Sequence, residues 1–456
     1  AMDAYFKVDL SSINRKKNSD ASIQIPSNFH LKMNDDTFLR VQPNSSSGYT
    51  LISTYLTDNS KISGGNLIGD RYEHDYTPTF DDKGVERDEH GWGFLLYIIG
   101  SHNVTVDNMF LSQACGDGIV FHGKSLRNSD GTLRSDGRET YNVIVKNTTI
   151  TESRRNNISF LDGRNITLDN CIITDAGKGE QAYDARGNKI FSSSGTLPKY
   201  GIDLEAIRTY NDDGSFNETA LNEDIVIKNC VFTGNEFGDI DLFTCSNVVV
   251  ENNYFDKWIA NIASNNIIIR NNTFESRDSE ITFAINIKSN KRGDKELNFN
   301  YQAYGNKIYG YRNGIMMSGI NQTVTDNTII NCQNGITFGS IKSSKFMNNF
   351  IKSNVEYSYG YRSTNTSALD VLIEKESIEV TYRPIDLRGL NNNLTNSSNF
   401  EVTFLNSDFV TTETRFKPTM YLKDSKHILF KGGQSNTSLE KINTFNISEA
   451  NFVLKQ

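Results

Sequence analysis

A nine-residue motif recurs along this chain and restricts the folds that it can adopt. The motif reads Asn, apolar, any residue, apolar, charged, Asn, any two residues, then an aromatic or aliphatic residue. Its copies begin at Asn103, Asn142, Asn165, Asp224, Asn247 and Asn266, and a looser copy begins at Gln322. The asparagines that recur near the strand ends are Asn108, Asn147, Asn170, Asn229, Asn252, Asn271, Asn327 and Asn348. Their shorter spacings, 19 to 23 residues, match one coil of a parallel β-solenoid, and longer spacings indicate coils with insertions.

The residues inside the motif favour strands over helices. Segments such as Ile225-Val226-Ile227 alternate with a period of two and are rich in β-branched side chains. Each strand is too short to bury its apolar face alone, so it must pack on equivalent strands of neighbouring coils, ~4.8 Å away. The asparagine after each strand adopts the left-handed conformation at low cost and can bond the asparagine of the next coil. The sequence therefore predicts an all-β chain folded as a parallel β-helix.

The motif also suggests how the chain is organised. Residues 1–60 contain strands without regular spacing, and we interpret them as irregular first coils or a cap. Residues 61–355 contain the repeats and are predicted to form the β-helix, with inserted loops that line a groove. The repeat fades in residues 356–456, which are predicted to be a divergent C-terminal β-segment: terminal coils, a cap or an association domain. Caps are expected because an open solenoid end is an exposed sheet edge.

Charge and composition exclude some classes of partner. The net charge is −8 and no Lys/Arg-rich block occurs, which argues against nucleic acid and against an anionic membrane surface. No run of 18 apolar residues is present, so the sequence predicts no transmembrane helix and no insertion into a membrane. Cys171 and Cys230 directly follow a recurring asparagine, so we interpret them as small buried side chains on stacked coils.

A second set of strands alternates with the motif, and the longest insertions adjoin this set. Its clearest members occur at residues 116–123, 156–163, 200–206 and 237–243. The insertions occur at about residues 71–89, 123–141, 177–198, 207–222 and 289–303. Loops that leave both ends of one sheet form walls, and the sheet between them becomes the floor of a groove. Long loops on a rigid scaffold are common sites of binding and catalysis.

Alignment of the second set places four acidic residues together on the outer face. These are Asp203, Glu205, Asp239 and Asp241, on two adjacent coils and roughly 5–7 Å apart at Cα. Carboxylates this close repel one another, which raises at least one pKa and places a protonated acid beside an ionised base or nucleophile. Glycoside hydrolysis requires such a pair. Alternatively, the four are merely solvated, or they bind Ca²⁺, which prefers oxygen ligands.

Cationic and aromatic residues near this cluster are candidates for substrate binding. They are His122, Arg154, Arg155, Tyr200, Lys288 and Trp92. A lyase or epimerase acting on uronic acids would need a cation for the sugar carboxylate, a base for the C5 proton and an acid, often Tyr. Tyr97, Tyr183 and Tyr210 could stack on sugar rings beside Trp92. The alternative roles are salt bridges within loops, hydrogen bonds within the groove wall and packing at coil corners.

With these features the chain resembles the right-handed parallel β-helix proteins of the pectate lyase superfamily, above all bacteriophage tailspike and appendage polysaccharide depolymerases. The resemblance extends over about residues 20–355 and rests on the repeats and on segments 64–70, 90–93, 116–119 and 200–205. It implies a right-handed β-helix, an extracellular or virion location, a polysaccharide ligand and a homotrimer. The segment Tyr200-Gly-Ile-Asp-Leu-Glu is similar to Tyr-Gly-Phe-Asp-Pro-His of mannuronan C5-epimerases, with Glu205 in place of the His.

The sequence thus predicts an endo-acting glycoside hydrolase that depolymerises a polysaccharide. Asp203, Glu205 and Asp241 would serve as acid, base or nucleophile, with Asp239 as their electrostatic partner. No cofactor is required, and Ca²⁺ is the alternative ligand of the same carboxylates. Two other functions remain open at this point: a polysaccharide lyase or C5-epimerase acting on a uronate polymer, and a non-catalytic glycan-binding spike or adhesin.

Overall fold

The structure is a computed structural model of the 456-residue chain. It describes residues 2–6, 22–80, 86–87, 90–124, 128, 132, 134–180, 182–183, 185–187, 189–190, 192–206, 208–210, 216–218, 220–277, 281–292, 295–394, 399–412 and 419–454. The chain divides into two compact units, an N-terminal unit of residues 1–248 and a C-terminal unit of residues 249–456. Among the described residues, no helix is long and apolar enough to cross a membrane.

Each coil of the N-terminal unit contributes one strand to each of three parallel sheets. The first sheet contains Ile23–Gln24, Gly48–Tyr55, Trp92–Ile99, Ile119–His122, Ile158–Phe160, Tyr200–Glu205 and Gly238–Phe243. The second contains His30–Lys32, Lys61–Ser63, His102–Asp107, Tyr141–Lys146, Gly163–Asp169, Asn222–Lys228 and Cys245–Glu251. The third contains Met2–Phe6, Thr37–Val41, Asn66–Ile68, Phe110–Ser112, Thr149–Thr151, Ile172–Thr174 and Val231–Thr233.

The C-terminal unit repeats this arrangement. Its first sheet contains Ile259–Ile262, Phe283–Asn286, Asn313–Ile320, Asn334–Met347, Tyr359–Thr364, Arg383–Arg388, Thr419–Lys423 and Ser438–Ile442. The second contains the end of Asn334–Met347 together with Asn265–Arg270, Phe299–Tyr304, Thr323–Thr325, Ala368–Glu374, Val402–Leu405, Lys426–Lys431 and Phe445–Ala450. The third contains Tyr254–Phe255, Thr273–Glu275, Lys307–Tyr309, Thr328–Ile330, Phe350–Lys352, Ser377–Val380, Asp408–Thr411, Gln434–Ser435 and Val453–Leu454.

The predicted insertions carry short antiparallel hairpins. These pair Thr79–Phe80 with Glu86–Arg87, Ala182–Tyr183 with Lys189–Ile190, Arg208–Tyr210 with Phe216–Glu218, and Lys291–Arg292 with Lys295–Glu296. Apart from these hairpins and one antiparallel bridge between Lys124 and Arg138, the strand pairings of the described residues are parallel. The predicted fold class, an all-β right-handed parallel β-helix, is confirmed. The predicted boundaries at residues 60 and 355 remain predictions.

Apolar residues at equivalent positions of successive coils form the core. Ile119, Ile158, Ile202 and Ile240 are fully buried and lie in register on four consecutive strands of the first sheet. Burial of one such side chain contributes roughly 1.5–3 kcal/mol relative to an exposed one. All five cysteines are buried thiols, and the backbone N–H of Cys171 lies 3.4 Å from Cys230 Sγ, as expected for stacked coils.

The outer asparagine ladder forms as predicted, with one change of register. Asn147 and Asn170 have φ angles of 52° and 54°, and Asn170 Nδ2 donates to Asn147 Oδ1 at 2.8 Å. Aspartate can also occupy a ladder position, because Asn147 Nδ2 donates to Asp107 Oδ1 at 2.9 Å. Asn327 was assigned to this ladder from the sequence. In the structure Asn327 is buried and Asp326, with φ of 55°, occupies the outer position.

A second, internal ladder of carboxamides is present in the C-terminal unit. Each side chain donates through Nδ2 to Oδ1 of the next at 2.9–3.1 Å, in the order Asn253, Asn272, Asn306, Asn327 and Asn349. The last amide, Asn349 Nδ2, donates to Glu376 Oε1 at 3.0 Å. Burial raises the pKa of Glu376 to about 8, against the hydrogen bonds from Asn349, which favour ionisation. The ladder therefore ends on a carboxyl group that is protonated at neutral pH.

Replacing Glu376 with Gln should stabilise the chain at alkaline pH. Because the folded state holds this proton more tightly, its stabilising effect is complete below the unfolded pKa and is lost as pH rises through about 8. The E376Q variant should lose this pH dependence and gain roughly 2–4 kcal/mol in free energy of unfolding at pH 9. Urea denaturation at pH 5, 7 and 9 measures the free energy of unfolding of wild type and E376Q. E379Q serves as the control because Glu379 is partly exposed beside Lys352. If the free energy of unfolding changes with pH in the same way for wild type and E376Q, Glu376 does not hold a proton with a raised pKa in the folded state.

Candidate active site

The first sheet of the N-terminal unit carries a row of outward side chains that includes two acids. Strand register pairs Tyr97 with Val120, Val120 with Ser159, Ser159 with Asp203, and Asp203 with Asp241. The alignment of Asp203 and Asp241 on consecutive coils is therefore as predicted. Glu205 lies two residues beyond Asp203 on the same strand and is exposed.

Asp203 is almost completely enclosed. Its side chain is 4% exposed, and its Oδ2 accepts a hydrogen bond from Asn156 Nδ2 at 3.1 Å. Burial raises the pKa of Asp203 well above its usual range, and the charges of Asp241 and Glu205 raise it further. The guanidinium of Arg155 opposes this increase in pKa. Asp203 therefore retains a proton at pH values where an ordinary aspartate has lost it.

Asp241 is half-buried and differs from Asp203 in both access and acidity. Burial, and then the charge of Glu205, raises the pKa of Asp241 to about 7. Its Oδ1 is buried and has no hydrogen-bond partner among the described residues. A half-buried carboxyl with a pKa near neutrality suits a general acid, and the exposed Glu205 lies on the neighbouring strand.

A chain of buried polar groups connects Asp203 to a fourth acid, Asp117. Asn156 Nδ2 contacts both Asp203 Oδ2 and Ser159 Oγ at 3.1 Å, and Ser159 Oγ donates to Asp117 Oδ2 at 3.0 Å. Asp117 also accepts the backbone N–H of Asn156 at 3.0 Å, and burial raises its pKa. Asn156 Oδ1 accepts the backbone N–H of Tyr200 at 2.9 Å. These contacts connect Asp203 to residues of the two preceding coils.

Asp117 is not among the site residues predicted from the sequence. The residue lies two positions before the second-set strand Ile119–His122 and has no equivalent acid on the next two coils, where Asn156 and Tyr200 occupy its place. The available signal was the turn Gly116-Asp117-Gly118 directly beside the predicted groove floor.

Of the two predicted arginines, Arg155 approaches the polar network. Its Nη1 lies 3.7 Å from Asp117 Oδ2, and its guanidinium lies 5.3 Å from the ring centroid of Trp92. Arg155 also donates to the carbonyls of Leu197 and Gly91 at 3.3 and 3.4 Å. Arg155 and Trp92 are therefore neighbours, both half-buried, next to the chain that supports Asp203.

Arg154 has a different position from the one predicted. It is 1% exposed, and its Nε donates to the carbonyls of Ser192 and Ser194 at 2.8 and 3.1 Å. Its Nη1 donates to the carbonyl of His90 at 3.3 Å, and its guanidinium lies over the ring of Tyr76. These contacts tie inserted segment 177–198 to segment 71–89. Arg154 therefore stabilises the loops rather than facing a substrate.

Asp239 and Tyr200 are also buried, which corrects the predicted outward position of Asp239 and places Tyr200, a predicted substrate-binding residue, inside the protein. Asp239 is 0% exposed, and its Oδ1 accepts a hydrogen bond from Asn235 Nδ2 at 2.8 Å. Tyr200 is 5% exposed, and its ring packs edge-on against Phe237 at 5.3 Å. Asp239 lies near the start of its strand, where the chain turns, so the strict alternation of outward and inward positions does not apply to it.

None of the contacts described for the remaining predicted residues is with the carboxyl cluster. His122 is half-buried, donates from Nδ1 to the carbonyl of Gly123, and has its pKa lowered mainly by burial. Lys288 is exposed in the C-terminal unit, where its backbone N–H donates to Asn261 Oδ1 at 2.9 Å. Tyr97 is half-buried, and burial raises its pKa to about 12. Tyr183 is 63% exposed, and the side chain of Tyr210 lies outside the described residues.

A buried hydrogen-bonded chain anchors the segment that precedes Trp92. Asp70 Oδ2 lies 2.7 Å from His74 Nδ1, His74 Nε2 lies 2.9 Å from His90 Nδ1, and His90 Nε2 lies 3.0 Å from the carbonyl of Thr77. Tyr49 donates to Asp70 Oδ1 at 2.6 Å. Ligand-type atoms of Asp70, His74 and Cys115 lie within 4.8 Å of one another. Because both ring nitrogens of His74 already have protein partners, this group fits a hydrogen-bonded anchor better than a metal centre.

Comparisons with known proteins identify relatives without an assigned activity. No family model matches the chain. It is 31% identical over 317 residues to the uncharacterized protein YclG of Bacillus subtilis (strain 168), covering 69% of this chain and 49% of the relative. It is 28% identical over 315 residues to the SPbeta prophage-derived uncharacterized protein YorA of the same strain, covering 68% and 48%. The chain thus spans about half the length of the curated relatives that it matches.

Similar solved structures are parallel β-helix proteins. They include a tailspike mutant of E. coli bacteriophage HK620 in complex with a hexasaccharide, with a TM-score of 0.48, 9% identity, and coverage of 95% of this chain and 73% of that chain. The A-module of the mannuronan C-5 epimerase AlgE4 of Azotobacter vinelandii has a TM-score of 0.38, 10% identity, and coverage of 100% and 87%. PfbA, a surface adhesin of Streptococcus pneumoniae, has a TM-score of 0.41, 15% identity, and coverage of 90% and 82%. The fold assignment itself rests on the strand pairing described above.

Proposed function

We propose that the chain is an extracellular or virion-borne polysaccharide depolymerase that cleaves its polymer internally as a glycoside hydrolase. One observation carries this proposal: Asp203, Asp241 and Glu205 share one face of the first sheet, and the pKa values of both aspartates are raised. Such a cluster provides a protonated acid beside a carboxylate base or nucleophile, which is the requirement of glycoside hydrolysis.

The three carboxyl groups differ enough to have separate roles. Asp241, half-buried and with a pKa of about 7, would protonate the oxygen of the scissile glycosidic bond. Glu205, which is exposed, would activate water or attack the anomeric carbon. Asp203, buried and held by Asn156, would keep its proton and thus limit the repulsion on Asp241 when the acid ionises. The leaving sugar takes the proton of Asp241, and water supplies the hydroxyl of the new reducing end.

Product analysis tests the reaction class. The chain should be incubated with capsular, teichoic and uronate polymers, and the products examined by mass spectrometry and a reducing-end assay. A hydrolase gives oligosaccharides with the full mass of water added, and D241N should give none. A product short by two hydrogens and one oxygen, absorbing in the ultraviolet, would instead identify a lyase. Unchanged polymer with measurable binding would identify a non-catalytic glycan-binding protein.

A lyase acting on a uronate polymer is the second candidate, and Arg155 favours it. The guanidinium beside Trp92 could neutralise a sugar carboxylate while the ring stacks on the sugar. Against it, Tyr200, the predicted proton donor of the epimerase alternative, is 5% exposed and packed on Phe237. Ca²⁺ binding at the carboxyl cluster and a homotrimer also remain proposals.

Activity should decline as pH rises above about 7. The general acid must be protonated, and because the pKa of Asp241 is raised to about 7, its protonated fraction falls about tenfold per pH unit above that value. Initial rates measured from pH 5 to 9 with a cleaved polymer should show this limb in kcat/KM. Melting curves at each pH serve as the control that the chain remains folded. A rate that stays constant from pH 6 to 9 would exclude Asp241 as the acid.

A further inference from the structure

The first sheet of the C-terminal unit carries a surface of arginine and tyrosine residues that has no counterpart in the function proposed above. Strand register aligns Thr337, Arg362, Asp386 and Tyr421 on consecutive coils, and an adjacent row aligns Asn334, Tyr359 and Arg383. We name this surface the arginine–tyrosine patch; it contains Tyr359, Arg362, Tyr382, Arg383, Arg388 and Tyr421.

Positive charge exceeds negative charge within the patch. Asp386 is fully buried, and Arg388 binds both of its oxygens, with Nε–Oδ1 at 2.8 Å and Nη2–Oδ2 at 2.9 Å. Arg383 Nη1 reaches the same carboxylate only at 3.5 Å. Arg362 Nη1 donates to a neutral acceptor, Asn334 Oδ1, at 3.3 Å. Asp386 is thus one carboxylate in a surface with three guanidinium groups, and its bidentate contacts go to Arg388, while the exposed Glu440 is paired with Tyr421 on the next strand.

Arg383 has hydrogen-bonding capacity that the protein does not use. Its Nε is buried and has no hydrogen-bond partner among the described residues, and its side chain is 14% exposed. A buried guanidinium N–H without an acceptor is costly, so the protein satisfies this arginine only in part, while the rest of its half-buried guanidinium can meet a ligand oxygen. Arg362 and Arg383 thus both have donors available to an anion from outside.

Tyrosine rings surround these two guanidinium groups. Arg383 lies 4.1 Å from the ring centroid of Tyr421 and 4.7 Å from that of Tyr382, and Arg362 lies 4.7 Å from that of Tyr359. Tyr359 and Tyr382 pack edge-on at 5.4 Å. The stacking holds the planar guanidinium groups in place, and the half-buried rings offer apolar faces and hydroxyl groups. Sugar rings stack on such faces, while fixed guanidinium groups bind carboxylate or phosphate oxygens in a bidentate manner.

We propose that the arginine–tyrosine patch binds an acidic polysaccharide through the carboxylate or phosphate groups of its sugars. This proposal rests on the proposed function in one respect, the polymeric sugar ligand, and extends it by specifying the ligand's charge. A neutral glycan offers the guanidinium groups only hydroxyl oxygens, whereas an acidic one offers anionic oxygens; the acceptor described for Arg362 is neutral, and Arg383 reaches its carboxylate only at 3.5 Å. The overall net charge of −8 does not attract such a polymer, so the binding must be local.

Affinity electrophoresis of the whole chain tests the patch with three polymers: polyguluronate, a poly(glycerol phosphate) teichoic acid and neutral dextran. Wild type should be retarded by at least one acidic polymer, and the retardation should be lost in 0.5 M NaCl. The R362Q/R383Q variant should bind that polymer at least tenfold more weakly, while K375Q, which removes an exposed lysine paired with Glu374, should bind as wild type does. Retardation by polyguluronate alone identifies a carboxylate ligand, and retardation by teichoic acid alone identifies a phosphate ligand.

Two results would overturn the proposal: equal binding by wild type and a folded R362Q/R383Q variant, or equal retardation by dextran and by the acidic polymers. If the double variant melts early, R362K/R383K retains the charges and loses only the guanidinium fork; it should bind more weakly than wild type, and equal binding counts against the patch. D241N separates this proposal from the hydrolytic one, because it should abolish cleavage and leave retardation unchanged. Loss of retardation in D241N would place the ligand at the carboxyl cluster instead.

Discussion

Replacing Asp241 with Asn should lower turnover at least a hundredfold, and neither D241N nor D203N should lower thermal stability. A hundredfold loss is the lower end for removal of a general acid or base. Stability should be unchanged or higher, because both pKa values are raised: each carboxyl stabilises the fold only while protonated, and this contribution is lost as pH rises through the folded pKa. At pH 8 the neutral amide of D241N avoids the half-buried charge that Asp241 carries in the wild type.

Turnover and melting temperature should be measured on the same preparations. D175N is a suitable control, since Asp175 lies 3.8 Å from Lys178 and is 44% exposed, away from the carboxyl row. D241N should show the larger loss of kcat, because Asp241 would transfer the proton, and D203N should also shift the basic limb of the pH profile. If both variants melt at lower temperature and retain full activity, the pair is structural and catalysis occurs elsewhere.

Replacing Arg71 with Met should produce the largest loss of stability. Arg71 is 1% exposed, and its guanidinium donates to the carbonyls of Ser193 at 2.9 Å, Glu152 at 2.6 Å and Lys178 at 2.5 Å. Methionine fills a similar volume but leaves these buried carbonyls without donors. Each unsatisfied group costs about 1–3 kcal/mol, so we expect the free energy of unfolding to fall by roughly 3 kcal/mol or more.

The effect of R71M should be concentrated in the inserted segments. Hydrogen exchange should quicken at residues 177–180 and 192–198, which Arg71 ties to the turn after Thr149–Thr151. R134M is the matched control, because Arg134 is 57% exposed and contacts only Asp136 at 3.5 Å among the described ion pairs. Unaltered exchange in this segment, together with a wild-type urea midpoint, would show that the carbonyls find other partners.

The repeat allowed the fold and the key alignment to be predicted, because each coil must place its apolar residues on those of the next. Ile202 and Ile240 therefore stack, and Asp203 and Asp241, one residue further, must face outward together. Stacking of coils does not predict which side chains are exposed at the turns between strands. Arg154 and Arg155 are adjacent, yet the N–H of Arg154 bonds Ala114 and that of Arg155 bonds Gly116. Only the path of the inserted loops decides which guanidinium is enclosed.

The internal ladder shows a second limit of pattern-based prediction. At Asn252-Asn253 and Asn271-Asn272 two polar residues follow each other, so hydrophobic alternation does not show which one faces inward. The structure turns Asn253 and Asn272 inward because each amide pairs with the next coil and leaves no unsatisfied group. The prediction that Asn327 belongs to the outer ladder is wrong because Asp326 and Asn327 are likewise adjacent polar residues. The long-range partners that permit a buried amide are not visible in a local sequence window.

The two units should differ in how freely coils can be gained or lost during evolution. In the C-terminal unit, a duplicated stretch of 21 or 22 residues would bring its own asparagine, which both donates and accepts, so the row from Asn306 to Asn349 could lengthen without a mismatch. Around the carboxyl cluster the reverse holds. Asp117, Ser159 and Asp203 lie on three successive coils and are connected by hydrogen bonds between unlike groups: carboxylate, hydroxyl and amide. An extra coil would separate them. Coil number is therefore expected to vary among relatives after residue 249 and to stay fixed between residues 117 and 241.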